Sequence, residues 1–289
     1  MRSKYAKRVP MTGMQQISID LKPNRSVSDV YINHKMDLTN LCKYIEEKKK
    51  DNPDITYFHA FLAGLGKLYY NRPYLNRFVA NRHMYEHKDV IISFVAKIAF
   101  EDEAEEMMIL IKIDKKDNID TISKKVLDKV NNIRKNKKDK IDKAGANKAI
   151  DILGKLPNII RIPIVGTLKW CDKKGVLPLS LVEDNLYYSS IIVSNLGSIG
   201  CGAIFHNITD FGNASALATM GVIKDEQVII EGKKEIRKLC EFGVNLDERI
   251  GDGFYFLKSI QLLQYIFDNP KLLEGDANEK IERKKEKQK

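Results

Sequence analysis

Cysteines are few in this sequence, and none are paired. The four are Cys42, Cys171, Cys201 and Cys240, and no two have Cys-x-x-Cys spacing. This scatter argues against a zinc site and against a disulfide framework. We expect ordinary buried or half-buried thiols and no bound metal.

Long hydrophobic runs are also missing. No window reaches the roughly 18 uninterrupted apolar residues of a membrane-spanning helix. No apolar signal segment follows the charged N-terminus at residues 1–8. We therefore expect a cytoplasmic protein. Hydrophobic residues still make up 43% of the 289 residues, which is enough for a core and excludes a wholly disordered chain.

Acidic residues are outnumbered, so the formal net charge is +10. Such an excess is compatible with nucleic acid, an anionic membrane surface or an anionic substrate. The lysines concentrate in residues 112–148 and 280–289, without the interleaved aromatic residues of a nucleic-acid platform. We expect a solvated helix face, a disordered charged tail over residues 273–289, and no nucleic-acid partner.

Hydrophobic patterning predicts strands mixed with a few long helices. Strands are expected at residues 28–36, 90–99, 107–113, 187–194, 214–222, 227–230 and 234–246. Helices are expected at residues 118–138 and 254–267, with an apolar one beginning near Thr56. The sequence Glu231-Gly232-Lys233-Lys234 predicts a hairpin turn. Together these elements indicate an α/β protein, arranged as an α+β two-layer sandwich.

Residues 144–185 are rich in isoleucine and leucine and are interrupted by Pro157, Pro163 and Pro178. Because proline ends or kinks a helix, we predict short helices separated by the prolines. These helices could pack against the domain or a neighbouring subunit. Alternatively, they could form an amphipathic element that lies on a membrane or covers an apolar substrate.

Two motifs lie at opposite ends of the strand-rich last third. One is Ser194-Asn-Leu-Gly-Ser-Ile-Gly, and the other is Glu248-Arg-Ile-Gly-Asp-Gly, which leads into the final helix. Together they resemble the catalytic domain of the dihydrolipoamide acyltransferases of 2-oxo acid dehydrogenase complexes, and the related chloramphenicol acetyltransferases. That family carries a Ser-x-Leu-Gly turn and a His-x-x-x-Asp-Gly motif ahead of its last helix.

The likeness continues through the segments that begin at Arg8, Asp37 and Thr56, so it spans residues 8–272. It implies a CoA-dependent acyltransferase (chloramphenicol acetyltransferase-like) fold for this range, with residues 1–7 as an N-terminal extension. Residues 144–185 then look like an insertion. Relatives in dehydrogenase complexes carry lipoyl and subunit-binding domains, and only seven residues precede the match here. The expected acyl donor is therefore a free CoA ester or a separate acyl carrier.

The resemblance also implies a chemistry. In the family, a histidine takes the proton of the acceptor, which attacks an acyl thioester, and a serine donates a hydrogen bond to the oxyanion. Ser194 matches that serine, and Asp252 matches the aspartate that organises the site. The family site lies between subunits, which implies a homotrimer. A CoA thioester is the implied co-substrate, with no tightly bound cofactor, and Asn195 in the serine turn is a candidate substrate-binding residue.

Glu248 stands where the family has its histidine. A carboxylate in water has a pKa of about 4.3 and is a poor base for a thiol or an alcohol. Burial could raise that pKa and make Glu248 a usable base. Alternatively, Glu248 pairs with Arg249 or a lysine and does no chemistry. His206 could supply the missing base, or it could be a loop histidine bonded to Asp210 or to the backbone.

Two functional hypotheses follow from these residues. The first is an acyltransferase that uses Ser194, Glu248 and Asp252 and moves an acyl group from a CoA-type or lipoyl-type thioester to an acceptor. The second is a catalytically inactive trimeric scaffold or binding protein on the same fold. Peripheral membrane contact through residues 144–185 is a third, separate possibility.

Overall fold

The computed structural model describes residues 2–97, 106–136, 152–183 and 185–282. Its strands form a small sheet of order β1-β4-β3 and a larger mixed sheet of order β2-β9-β8-β7-β5-β6. In the larger sheet, β7 is parallel to both of its neighbours, and the other pairings are antiparallel. The strand bounds are β1 Ala6–Arg8, β2 Asp29–Asp37, β3 Arg77–Ala80, β4 His83–His87, β5 Val90–Lys97, β6 Glu106–Ile113, β7 Ile191–Asn195, β8 Ala216–Ile230 and β9 Lys233–Asp247.

The helix bounds are α1 Gly13–Leu21, α2 Thr39–Lys48, α3 Tyr57–Asn71, α4 Ile119–Asn136, α5 Asn158–Lys174 and α6 Gly253–Asp268. Of these, α2, α3, α4 and α6 pack against strands of the larger sheet and form the second layer. In the core, the ring of Phe61 on α3 lies 5.0 Å from that of Phe242 on β9 and 6.3 Å from that of Phe267 on α6. This two-layer arrangement confirms the expected fold class.

The hairpin between β8 and β9 is longer than the sequence pattern predicted. Its turn is where it was expected, with φ of 49° at Glu231 and 80° at Gly232, the positive values of a tight hairpin turn. The two strands predicted at 214–222 and 227–230 are one strand. The pairing register shifts between Met220 and Ile223, and this irregularity interrupts the alternation that the sequence pattern would need for one strand.

Strand β7 begins at Ile191, four residues later than predicted. The Asn185 side chain accepts a hydrogen bond from the Tyr187 N–H at 3.0 Å, and the Asn185 carbonyl accepts one from the Tyr188 N–H at 2.8 Å. An asparagine that bonds the backbone two residues on favours a turn over a strand. Its local hydrogen bonds therefore replace the first part of the expected strand.

In the proline-interrupted segment, Pro157 and Pro178 separate helical stretches as predicted, but Pro163 does not. Helix α5 continues through Pro163, whose missing N–H removes a single backbone hydrogen bond. The Thr167 hydroxyl donates to the Pro163 carbonyl at 3.0 Å, one turn later. The helix ends at Gly175, whose φ of 72° gives a left-handed C-terminal cap. Residues 144–151 of the segment lie outside the described residues.

Residues 273–282 do not form the disordered tail that their charge indicated. Leu273 and Ala277 are buried, and the Ala277 N–H donates to the Asp117 carbonyl at 2.7 Å. The buried Lys67 ammonium explains part of this order, because it donates to the Asp276 carbonyl at 2.8 Å and pairs with Glu279 at 3.1 Å. The rest of the predicted tail, residues 283–289, lies outside the described residues.

Candidate functional site

Ser194 lies at the carboxyl end of β7, between the two parallel neighbours of that strand. A short 3-10 turn, Leu196–Ile199, follows it directly. Crevices outside the carboxyl ends of parallel strands are the usual ligand sites of such sheets. The half-buried Ser194 hydroxyl has no hydrogen-bond partner among the described residues, so it is free to donate to a bound molecule.

Glycines allow the chain after Ser194 to lie directly against the sheet. A Cβ atom on Gly197 would come within 2.6 Å of the Gly221 carbonyl oxygen on β8, and one on Gly243 would collide with the carbonyl of Ile204. The Thr219 hydroxyl accepts from the Ile204 N–H at 3.2 Å and so fixes the same segment. This close approach of backbone to backbone holds the serine turn in place.

The two candidate substrate-binding residues, Asn195 and His206, follow Ser194 in the chain and differ in exposure. Asn195 is half-buried and is the last residue of β7, directly before the turn. His206 is exposed, and its Nδ1 lies 2.9 Å from the carbonyl oxygen of the adjacent Asn207. Its own carbonyl accepts a hydrogen bond from Asn245 at 3.0 Å. Asp210 instead accepts hydrogen bonds from Ser26. These contacts are those of a loop histidine bonded to the backbone.

Glu248 begins a 3-10 turn directly after β9, and its N–H donates to the Ser28 carbonyl at 2.9 Å. Its carboxylate accepts a hydrogen bond from the Lys22 ammonium. The Glu248 side chain is 34% exposed, so the pair lies at the surface of the chain. The sequence left open whether Glu248 pairs with Arg249 or with a lysine, and in the structure its partner is Lys22. The positive charge of the ammonium stabilises the charged form of the carboxylate.

Arg249 is turned inward and pairs with Asp247. Its guanidinium donates to the two carboxylate oxygens at 2.8 and 2.6 Å, and the side chains are 2% and 1% exposed. The third guanidinium nitrogen donates to the Lys22 carbonyl at 3.2 Å. The buried pair therefore joins the end of β9 to the residue whose ammonium contacts Glu248. Sequence reasoning missed this pair.

Helix α1, which delivers Lys22, was also missed, although the sequence carries a signal for it. The Thr12 hydroxyl accepts from the Gln15 N–H at 3.2 Å, and the Gln15 side chain accepts from the Thr12 N–H at 2.9 Å. This reciprocal capping box has the Thr-x-x-Gln pattern that marks a helix start. A helix predicted from this pattern would end near Lys22.

Asp252 is the N-terminal cap of α6. Its carboxylate accepts a hydrogen bond from the Tyr255 N–H at 2.7 Å, and the side chain is exposed. A capping aspartate fixes the point at which the helix begins and interacts favourably with the helix dipole. Asp252 therefore fixes the start of the helix that follows Glu248.

A single chain does not bring Ser194 and Glu248 together. Ser194 pairs with Thr219, which pairs with Gly243, so these three residues are level across the sheet. Asp247 lies four residues further along β9, or about 13 Å at the usual rise of a strand, and two strands away, or about 10 Å. Glu248 follows Asp247 directly. The Ser194 hydroxyl and the Glu248 carboxylate are thus too far apart to act on one reacting group within a single chain.

Two other histidines are buried in the fold. His59 Nδ1 lies 2.9 Å from the Ser123 hydroxyl, and the His87 ring packs 4.7 Å from that of Phe78. Burial lowers the pKa of each to about 4, so both are neutral near pH 7. Across the described residues, no group of three or more His, Cys, Asp or Glu side chains is arranged to hold a metal ion.

The sheet with its central parallel strand, the helical layer and the serine turn define the fold of the CoA-dependent acyltransferases. The chain resembles a probable dihydrolipoamide acetyltransferase of Listeria monocytogenes at 17% identity and a TM-score of 0.58, covering 91% of this chain and 94% of that one. The Azotobacter vinelandii dihydrolipoamide acetyltransferase matches at 16% identity and a TM-score of 0.60, over 92% and 93% of the two chains.

A chloramphenicol acetyltransferase matches at 11% identity and a TM-score of 0.54, over 91% of this chain and 98% of that one. No family model and no curated protein sequence matches the chain. The similarity confirms the predicted fold. At these identities it does not by itself establish an activity.

Proposed function

We propose that this protein is an acyltransferase that moves an acyl group from a CoA-type thioester to a hydroxyl, amine or thiol acceptor. The observation that carries the proposal is the Ser194 hydroxyl, which is unpaired among the described residues and held at the carboxyl end of β7. A serine in this position donates a hydrogen bond to the oxyanion of a tetrahedral intermediate. Such a donor contributes about 3 kcal/mol to lowering the barrier.

The proposed active form is a homotrimer with the site between protomers. This proposal is supported by the separation of Ser194 and Glu248 within one chain, because that distance prevents the two side chains from acting on the same substrate. The Azotobacter study concerns a serine, a histidine and an asparagine four residues after the histidine in a catalytic mechanism. Glu248 and Asp252 have the same spacing here. A second copy would then supply the carboxylate that faces Ser194.

In the proposed reaction, Glu248 takes the proton from the acceptor as the acceptor attacks the thioester carbon. The carbonyl oxygen becomes an oxyanion that accepts a hydrogen bond from Ser194. When the intermediate collapses, the C–S bond breaks and the CoA sulfur takes the proton back from Glu248. For this step Lys22 must release the carboxylate, because an ion-paired carboxylate is a weaker base. Asp252 fixes the start of α6 behind it.

A second candidate is a catalytically inactive trimeric scaffold. The Lys22–Glu248 ion pair favours it, because a carboxylate that stays paired with an ammonium does not take protons from an acceptor. The two candidates differ in one measurable property, which is turnover of a thioester.

The test is release of free thiol from a panel of acyl-CoA esters, with alcohols, amines and dithiols as acceptors. We expect Ser194→Ala to lower kcat about 100-fold or more, and Glu248→Gln to lower it sharply. Matched controls are Ser180→Ala, an exposed serine elsewhere, and Glu241→Gln, a surface carboxylate that also faces a lysine.

Unchanged turnover in Ser194→Ala would remove the serine from the mechanism. Absence of turnover with every ester and acceptor, from a protein that sediments as a folded trimer, would select the scaffold. Sedimentation as a monomer under assay conditions would contradict the shared site.

A further inference from the structure

Helix α5 presents an apolar stripe on the side that faces away from the domain. Ile159 is 84% exposed, Ile162 is 65% exposed and Trp170 is 58% exposed. Their spacing of three and eight residues places them along one side of a helix. On the opposite side, Leu168 and Cys171 pack against the buried cluster around Tyr188. The exposed stripe is therefore not the face by which the helix joins the fold.

The charges beside this stripe are all positive. Lys169 lies on the same side of α5 as the stripe, Arg161 lies on the other side, and α5 has no acidic residue before Asp172. Asp172 follows, but it is buried and accepts hydrogen bonds from the Tyr188 hydroxyl at 2.5 Å and the Gly212 N–H at 3.0 Å. The next two residues are exposed lysines. The solvent side of α5 thus combines large apolar side chains with cations only.

The C-terminal end of α5 is fixed to the domain from beneath. The buried Arg2 donates to the Asp172 carbonyl at 2.6 Å and to the Lys173 carbonyl at 3.3 Å. The Asp172 side chain ties the same turn to the chain around Gly212. A helix held in this way already has its orientation, so binding through its outer face does not need further ordering of the backbone.

We propose that α5 binds the surface of an anionic lipid bilayer. The helix lies in the plane of the interface, with Ile159, Ile162 and Trp170 at the acyl boundary and the lysines at the headgroups. Among the described residues, no helix is long and apolar enough to cross a bilayer. A second copy is a poorer occupant, because two such faces would bring like charges together.

The test uses the fact that Trp170 is the only tryptophan of the chain. Its fluorescence therefore reports on α5 alone. We expect a blue shift of the emission, and co-sedimentation of the protein, with vesicles of phosphatidylcholine and phosphatidylglycerol. Vesicles of phosphatidylcholine alone should give neither, and added salt should weaken the effect.

Two sets of variants separate the apolar and the electrostatic contributions. Ile159→Gln with Ile162→Gln should weaken binding at least roughly tenfold, because the inserted apolar area is lost. Lys169→Gln and Lys173→Gln should each weaken it roughly fivefold. The matched control is Ile229→Gln with Ile236→Gln on the distant hairpin, where both side chains are 73% exposed, and it should bind like the wild type.

Three results would overturn the proposal. One is the absence of both the fluorescence shift and co-sedimentation with anionic vesicles. Another is binding that the hairpin control loses and the α5 variants keep. The third is a concentration-dependent blue shift of Trp170 without vesicles, accompanied by self-association, which would show that a second copy covers the helix. None of these results depends on acyltransferase activity.

Discussion

The buried pair of Asp247 and Arg249 gives the sharpest test of how the end of β9 is held. We expect Arg249→Met to lower the free energy of unfolding by about 3–5 kcal/mol, because it leaves the Asp247 carboxylate buried without its partner. The side chains are 2% and 1% exposed, so water cannot replace the guanidinium. The measurement is urea unfolding followed by circular dichroism at pH 7.

Removing both charges should cost less than removing one. Asp247→Asn with Arg249→Met removes both charges of the pair, so most of the lost stability should return. Arg249→Lys keeps the charge but not the two parallel hydrogen bonds, and it should fall between the wild type and Arg249→Met. Because Arg249 also donates to the Lys22 carbonyl, Arg249→Met should alter thioester turnover as well.

Two results would refute this reasoning. A loss below about 1 kcal/mol in Arg249→Met would mean that the pair behaves like a surface ion pair. A double variant that loses the full sum of both single losses would mean that the two side chains stabilise the fold independently. Either result would also remove the argument that the pair positions Lys22 beside Glu248.

Two further predictions concern the rest of the fold. The pKa of His59 and of His87 is about 4 in the native state, against 6.5 in the unfolded chain. Between these values the unfolded state binds more protons than the native state. Unfolding free energy should therefore be level above about pH 7 and fall between pH 6.5 and 4, by up to about 1.4 kcal/mol per pH unit for each histidine. Urea unfolding across this range measures the fall, the exposed His206→Gln variant should keep it, and a flat profile would contradict it. Leu273→Ala should cost about 2–5 kcal/mol in the same assay, whereas Leu257→Ala, at a half-exposed position, should cost far less; equal effects would mean that residues 273–282 are not packed.

The sequence by itself determined the features that depend on local chemistry. Glu231 and Gly232 both have positive φ, which forms a tight hairpin turn through local backbone geometry alone. The apolar pattern on either side of the turn predicts the two strands that it joins. Thr56 caps α3 through a hydrogen bond three residues along, and Asp252 caps α6 in the same way. The fold could be predicted because these signals occur along the chain in the same order as in the family that the sequence resembles.

Only the tertiary structure decided which groups meet. Arg249 adjoins Glu248 in the chain, yet it turns inward to Asp247, and Lys22, 226 residues away in sequence, takes the Glu248 carboxylate. Burial and backbone geometry choose among such partners, and neither is visible in residue order. Residues 273–282 are another example. Their charge indicated disorder, but they are ordered in the fold, where the buried Lys67 ammonium donates to the Asp276 carbonyl. Helix α5 shows it too, because Arg2 and Asp172 fix its end so that its apolar side faces outward.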